Sequence, residues 1–515
     1  MSRIGRTLAA PSGPVALALA LAVGLVAGLV LVLIAARMSP LVALGAAMGV
    51  GGTLCLLKYP HWGLYALAFI VPAERFGRIS DDTSSFSLSV TRALGFLMFA
   101  ILVTHRLTGR KGFFISMPLM LWTAFVAVGI LTLLHTSDLI PGVKIASGYV
   151  GNILFLLIIT NLALTDRPEE TKRHVYMCIV SWLLASTLIA LYSIYDWHLG
   201  SGRSGGIPLG DVDPQAGAQL AQYRWTTIWE DRAELETLGG SIRRSMGSTS
   251  HAAVFGINLI MTVPFFLWVI RVCKTRWVQL ASWAALGATM YCVLLSNTRA
   301  ALLMAAGTLG LCVITGLVRV TIWMILGLIA AVAAIPLFVP VDIFERILDF
   351  SNYTVGKSEA MRIRIEYWWA GYRAIADHFL LGCGLANEKV GLEYLTHPIE
   401  GRSHMHNMYI QSAMDVGVFG MWLLFAFMAS VALRCQRGRA AFRKLNEAPE
   451  YWMMTASLVL LISVYVYALQ VDVFYFPLKG FWLIAGLIIV MTRVAHLESR
   501  SRAASPPVTE VRSDE

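Results

Sequence analysis

The stretch Gly401–Gly420, GRSHMHNMYIQSAMDVGVFG, sets two histidines, an asparagine and a tyrosine against a predicted helix N-terminus. Histidine offers two chemistries here. His404 and His406 are spaced as H-x-H, which could hold a metal ion. Positions i and i+2 of a helix face different ways, however, and nothing supplies a clear third ligand. The alternative is proton transfer. The positive end of a helix dipole favours neutral imidazole in the first turn, and neutral imidazole can take a proton from a hydroxyl. A merely structural histidine looks the same in sequence, so position alone leaves both readings open. Asn407 and Tyr409 stand beside the pair as supporting groups.

A second set of residues is basic. Guanidinium forks match phosphate oxygens, and Arg244, Arg299, Arg362 and Arg364 are the candidates. Arg243 and Arg244 precede SMGSTSHAAVFG, whose small and hydroxyl residues lead into an apolar helix. Such a helix start leaves backbone N–H groups free for an anion, although arginines also snorkel at membrane interfaces. From Glu359 to Leu381, Met361, Ile365, Trp368, Tyr372, Ile375 and Phe379 recur at helical spacing. That pattern predicts an amphipathic helix lying on a membrane surface, ended by Gly382 and Gly384. Arg362 with Glu366 and Arg373 with Asp377 form i,i+4 pairs on its other face, which a solvated surface would also show. Arg364 lies off the apolar stripe and has no acidic residue three or four positions away.

The elements that must position these groups are membrane helices. Of 515 residues, 57% are hydrophobic and 14% charged, with mean hydropathy +0.67, whereas soluble domains keep about a quarter charged. The expected fold is therefore all-α and polytopic, with about 14 transmembrane helices. Apolar segments fall at 14–36, 41–57, 61–73, 89–105, 114–135, 143–164 and 174–195. Others follow at 252–270, 277–296, 300–318, 320–339, 408–433, 451–471 and 476–493. The first, from Pro14 to Ala36 behind Arg3 and Arg6, is longer than a signal-peptide core and reads as a retained helix with its N-terminus inside. The net charge of +10 then reflects Lys and Arg in cytoplasmic connections rather than nucleic-acid binding.

Charge also sets the orientation. The even-numbered connections carry Arg106, Arg110 and Lys111; Arg167, Lys172 and Arg173; Arg271, Lys274 and Arg276; and Arg434, Arg437, Arg439, Arg443 and Lys444. Both termini come out cytoplasmic, with a disordered tail at 497–515. Transmembrane helices occupy 1–196, 251–339 and 409–496. Two large loops, 197–250 and 340–408, face outward, the second holding the amphipathic helix. Arg299, at the tip of the hairpin SNTRAALL, falls on the same outer side, against the usual bias, so orientation does not explain it. Helix interiors hold almost no charge, and no convincing internal repeat is present, which disfavours an ion-coupled carrier. Of seven cysteines only Cys383 falls in an outer loop, so no disulfide framework is expected.

The run RIRIEYWWAGYRAIADHFLLGCGL, followed by HNMYIQSAMDVGVFG, resembles the O-antigen ligase and polymerase family of bacterial membrane glycosyltransferases. The resemblance rests on Arg362 and Arg364, Gly382-x-Gly384, His406-Asn407-x-Tyr409 and Asp415-x-Gly417-x-x-Gly420, with the SNTRA hairpin around Arg299. It covers roughly residues 240–435. It implies an inner-membrane enzyme that takes a glycan from undecaprenyl diphosphate on the periplasmic side and passes it to an acceptor hydroxyl. The acceptor is lipid A core for a ligase and another lipid-linked glycan for a polymerase. The reaction is metal-independent and inverting, without cofactor. His406 would activate or orient the acceptor, and Arg299, Arg362, Arg364 and Arg244 would bind the diphosphate. His404, Asn407, Tyr409 and Arg373 would support them. Polymerases of the family often place an Arg and a Gly with ten residues between them in both outer loops. Arg373 and Gly384 fit that spacing, while Arg244 and Gly256 are one residue too far apart. Ligase and polymerase thus both stay open, with a polysaccharide transporter as the alternative from another class.

Overall fold

The computed structural model describes residues 51–73, 90–109, 112–136, 139–198, 227–230, 242–245, 252–322, 326, 359–386, 393–395, 405–471 and 478–504. The helices among them are α1 (Pro60–Ile70), α2 (Val90–Thr108), α3 (Met117–Thr132), α4 (Leu139–Ala163), α5 (Pro168–His198), α6 (Ala252–Ile260), α7 (Val263–Val272), α8 (Arg276–Leu295), α9 (Arg299–Ile314), α10 (Glu359–Asp377), α11 (Met408–Lys444), α12 (Ala448–Tyr467) and α13 (Lys479–Ala504). The chain divides into two compact units, Met1–Gly63 and Leu64–Glu515.

Among the described residues, seven helices are long and apolar enough to cross a bilayer: α4, α5, the α6–α7 pair, α8, α11, α12 and α13. Helices α3 and α9 are apolar but shorter. Segment 14–36, nearly all of 320–339 and most of 41–57 fall outside the described residues, as do most of the first outer loop and about half of the second. The 61–73 segment forms α1, whose 11 residues rise only about 16 Å, against a hydrocarbon core of about 30 Å. Two ends differ from expectation. Helix α11 continues past 433 to Lys444, and α13 runs to Ala504 through the start of the expected tail.

The all-α expectation meets one exception. Thr227–Glu230 (β1) and Ile242–Ser245 (β2) pair as an antiparallel ribbon, with Ile228 opposite Arg244 and Trp229 opposite Arg243. Two strands of four residues in the first large loop escape a reading tuned to 20-residue apolar runs.

Within the second unit α11 is the hub, packing against α3, α12 and α13. Trp122 of α3 meets Trp482 of α13 at 4.6 Å between ring centroids and Phe427 of α11 at 5.3 Å. The Trp122 indole N–H is satisfied by the Tyr149 carbonyl of α4 at 3.2 Å. Small residues set the closest crossings: a Cβ on Gly486 would lie 2.7 Å from Ile159, and one on Gly438 would lie 2.7 Å from Met454. Such approaches carry helix association where lipid removes the hydrophobic contribution. Large apolar side chains meanwhile face outward, among them Trp277, Leu280, Leu303 and Ile314, as lipid contact requires.

The two ends of this bundle are chemically different. At one, Lys172 contacts Glu447 at 2.6 Å and Glu498 at 2.7 Å. Tyr176 donates to Glu450 at 2.7 Å, and Arg271 donates to the Gly316 carbonyl at 2.6 Å. At the other end lie His406, the Gly382–Gly384 turn and the α8–α9 hairpin.

Candidate functional site

The site begins at the N-terminus of α11. Asn407 is the N-cap, its side-chain oxygen accepting from the backbone N–H of Tyr409 at 3.0 Å and Ile410 at 3.2 Å. Gln411 reaches back to accept from the Met405 N–H at 3.2 Å, and its amide donates to Asp415 at 3.0 Å. Asp415 is therefore a buried member of this network. The Met408 N–H donates to the Ala468 carbonyl at 2.9 Å, which joins this start to the end of α12.

His406 stands one residue outside the helix, because Asn407 takes the cap. The expected first-turn position is thus corrected. Its φ of 49° is left-handed and unusual for a residue with a Cβ. It is half-buried. Such backbone is held only where the surroundings determine it, and it clusters at functional sites. Here the neighbouring Met405 and Asn407 are pinned by Trp368, Gln411 and the helix start. The Trp368 indole donates to the Met405 carbonyl at 3.0 Å.

Tyr409 has a packing role. Its hydroxyl donates to the Tyr465 carbonyl at 2.8 Å, and its ring stacks on Phe425 at 5.4 Å. His404 lies outside the described residues. Among the described residues no group of three or more His, Cys, Asp or Glu is placed to hold a metal.

The glycines of the motif lock two elements together. Gly417 interrupts α11 with φ 68° and ψ −176°. The break leaves backbone groups without helical partners, and the turn after α10 supplies them. Cys383 N–H donates to the Met414 carbonyl at 2.7 Å, and Gly384 N–H to the Asp415 carbonyl at 3.0 Å. Val418 N–H donates to the Phe379 carbonyl at 2.9 Å. No side chain fits between: a Cβ on Gly417 would lie 2.2 Å from the Leu380 carbonyl oxygen, and one on Gly382 would lie 2.5 Å from Gly417 N. Thr136, after α3, clamps the far side by donating to the Leu385 carbonyl at 2.7 Å. Burial, with Asp415 and Asp377 nearby, pushes the Cys383 thiol up to about 12, so it stays protonated and inert.

Helix α10 rests on α11 through its small residues and leaves large apolar side chains on the surface. Tyr367, Ala370, Gly371 and Ala374 are buried, while Tyr372 and Phe379 are exposed alongside Trp369. Small residues win the contact because the helices approach closely: a Cβ on Gly371 would lie 2.5 Å from Ile410. Arg373 is exposed, and its expected partner Asp377 instead accepts from Tyr394 at 2.7 Å, which pushes that phenol up to about 12.

Arg364 is half-buried and lies within electrostatic reach of the Tyr467 hydroxyl. Tyr467 is buried, and its hydroxyl has no hydrogen-bond partner within the protein. Sequence reading missed it, since a tyrosine ending an apolar helix carries no signal of its own. Arg299 is the first residue of α9, half-buried, beside a turn in which Asn297 has φ 46°. That hairpin packs on α6 at Gly256, where a Cβ would lie 2.8 Å from Ala301. Helices α9 and α12 are antiparallel, linked by Thr308 donating to Ser463 at 2.9 Å. From that link Arg299 rises about 13 Å and Tyr467 about 6 Å toward the same end. Arg362 is on the first turn of α10, and Arg244 is on β2, away from α10 in the chain.

The structure therefore brings His406, Arg364 and Tyr467 to one polar end of an apolar bundle, with Arg299 at the same end. These features define a multi-pass membrane protein with a basic, histidine-bearing site at one end of its helices. Residues 280–426 match the family model described as O-Antigen ligase, which supports a place for this segment among the O-antigen ligases and polymerases. The match contains Arg299, Arg362, Arg364, the Gly382–Gly384 turn, His406 and Gly417, and begins after Arg244. No curated protein matches the chain.

Proposed function

We propose that this protein transfers a glycan from undecaprenyl diphosphate to an acceptor hydroxyl on the periplasmic face of a bacterial inner membrane, as a ligase or a polymerase. One observation supports this above the others: a strained, half-buried histidine shares one end of the bundle with Arg364 and Arg299. In this reading the acceptor oxygen attacks the anomeric carbon as the bond to the diphosphate breaks. The acceptor proton passes to His406, and inversion follows from attack opposite the leaving group. Charge grows on the departing diphosphate, where fixed guanidinium groups act without reorganising. Arg299, Arg362 and Arg364 take that role, and Tyr467 offers a hydroxyl beside Arg364. Arg244, which lies outside the matched segment, is the most peripheral of the set. No metal or cofactor is needed for these steps.

The two ends support the orientation. The basic connections gather at the end that holds Lys172 and Arg271, which the positive-inside bias puts in the cytoplasm. Reconstitution of the purified chain with lipid-linked donor in EDTA, with and without lipid A core, tests the reading. Longer lipid-linked chains would identify a polymerase, and transfer only to core a ligase. Donor crossing vesicles with no product would overturn the enzyme reading in favour of transport. His406→Ala should abolish transfer and leave donor binding intact.

A further inference from the structure

The opposite end of α11 carries a feature that glycan transfer does not use. Gln436, Arg439, Ala440, Arg443 and Lys444 of α11, with Tyr451 of α12, line an open cavity of about 610 Å³. Its lining holds three cations and no carboxylate. The nearest acids in sequence are engaged elsewhere: Glu447 contacts Lys172 at 2.6 Å and Arg502 at 3.4 Å, and Glu450 accepts from Tyr176 at 2.7 Å. Among the described residues, Arg443 and Lys444 have no ion-pair partner and are exposed. Arg439 is held in place by Tyr451, donating to its hydroxyl at 3.0 Å with the guanidinium 5.2 Å from the ring centre. Its Nε is buried and makes no hydrogen bond within the protein.

Height decides what can reach this cavity. From the Gly417 break to Lys444, α11 rises about 40 Å, more than the roughly 30 Å of hydrocarbon in a bilayer. Its last turns therefore stand at headgroup level. Tyr451 and Trp452 pack edge to face there at 4.7 Å, and Arg271 lies 3.5 Å over the Trp452 ring. Aromatic rings and guanidinium groups at one level mark the membrane–water interface. A basic pocket between helices at that level matches the phosphodiester of an anionic lipid. The volume is in the range of small-ligand sites.

We propose that this cavity binds a phosphate-bearing anion, supplied by the headgroup of an anionic phospholipid, with diphosphatidylglycerol the best match to three cations. The test uses the full-length chain in neutral detergent, with native mass spectrometry counting added diphosphatidylglycerol against phosphatidylcholine. Arg443→Gln/Lys444→Gln removes two exposed charges from the lining, and Arg493→Gln/Arg500→Gln removes two exposed charges from α13 as a control. Diphosphatidylglycerol occupancy should fall by roughly tenfold in the first variant and stay unchanged in the second. Equal loss in both would mean bulk charge, and no loss in the first would remove the site; either result overturns the proposal. Arg439→Gln, compared by melting temperature first, gives an independent reading of the buried cation. If inorganic phosphate stabilises the parent chain but not Arg443→Gln/Lys444→Gln while lipid occupancy is unchanged, a soluble phosphate is the ligand and the lipid assignment fails.

Discussion

A buried hydroxyl without a hydrogen bond costs a fold about 1–3 kcal/mol, and Tyr467 keeps one beside Arg364. Removing the oxygen should therefore be harmless to folding. Tyr467→Phe is expected to melt at the same or a higher temperature, while glycan transfer falls roughly tenfold, as losing one hydrogen bond to a charged group implies. A merely structural tyrosine would leave turnover untouched, so comparing the two readouts checks the role. Asn407 is the opposite case. Its oxygen caps two N–H groups of α11, and Asn407→Ala should cost about 1 kcal/mol in a denaturation measurement. Asn407→Asp, which keeps the acceptor, should recover most of it. The motif residues around His406 were readable as residues. What the sequence could not separate was duty: Asn407 and Tyr409 serve the helix start and its packing, and His406 is left outside the cap.

Among the elements, α11 matters through its interruption. Gly417 has φ 68°, and any Cβ there would overlap the Leu380 carbonyl oxygen. Gly417→Ala must break the junction with the Phe379–Gly384 turn, and its melting temperature in detergent should drop sharply. Gly287, in α8, meets nothing within 4 Å, so Gly287→Ala should be neutral or gain up to about 1 kcal/mol in the same measurement. If both glycines tolerate alanine equally, the interlock is not what holds α10 against α11. The same junction shows what the stripe on α10 did not reveal, namely which residues meet α11. Periodicity weighs large apolar side chains, whereas a close helix contact selects Ala370, Gly371 and Ala374 and leaves Tyr372 and Phe379 outside.

At the scale of the molecule, Lys172 ties the start of α5 to Glu447 and Glu498 at 2.6 and 2.7 Å. Truncating one member of such a buried cluster strands the others. Lys172→Met is expected to lower stability by about 3–5 kcal/mol, read as loss of folded protein on heating. Adding Glu447→Gln and Glu498→Gln should restore part of it, which simple loss of packing would not allow. By itself the sequence determined the membrane class, most helix positions within the described residues and the candidate residues for a phosphate or a proton. Those follow from hydropathy, span length and side-chain chemistry, which are local properties. Tertiary structure decided the rest. The Gly417 break, the burial of Asp415 and the meeting of Arg364 with Tyr467 depend on backbone groups and helix faces from segments distant in the chain. No local pattern encodes which of several apolar faces will find a partner, and that choice sets the surroundings of His406.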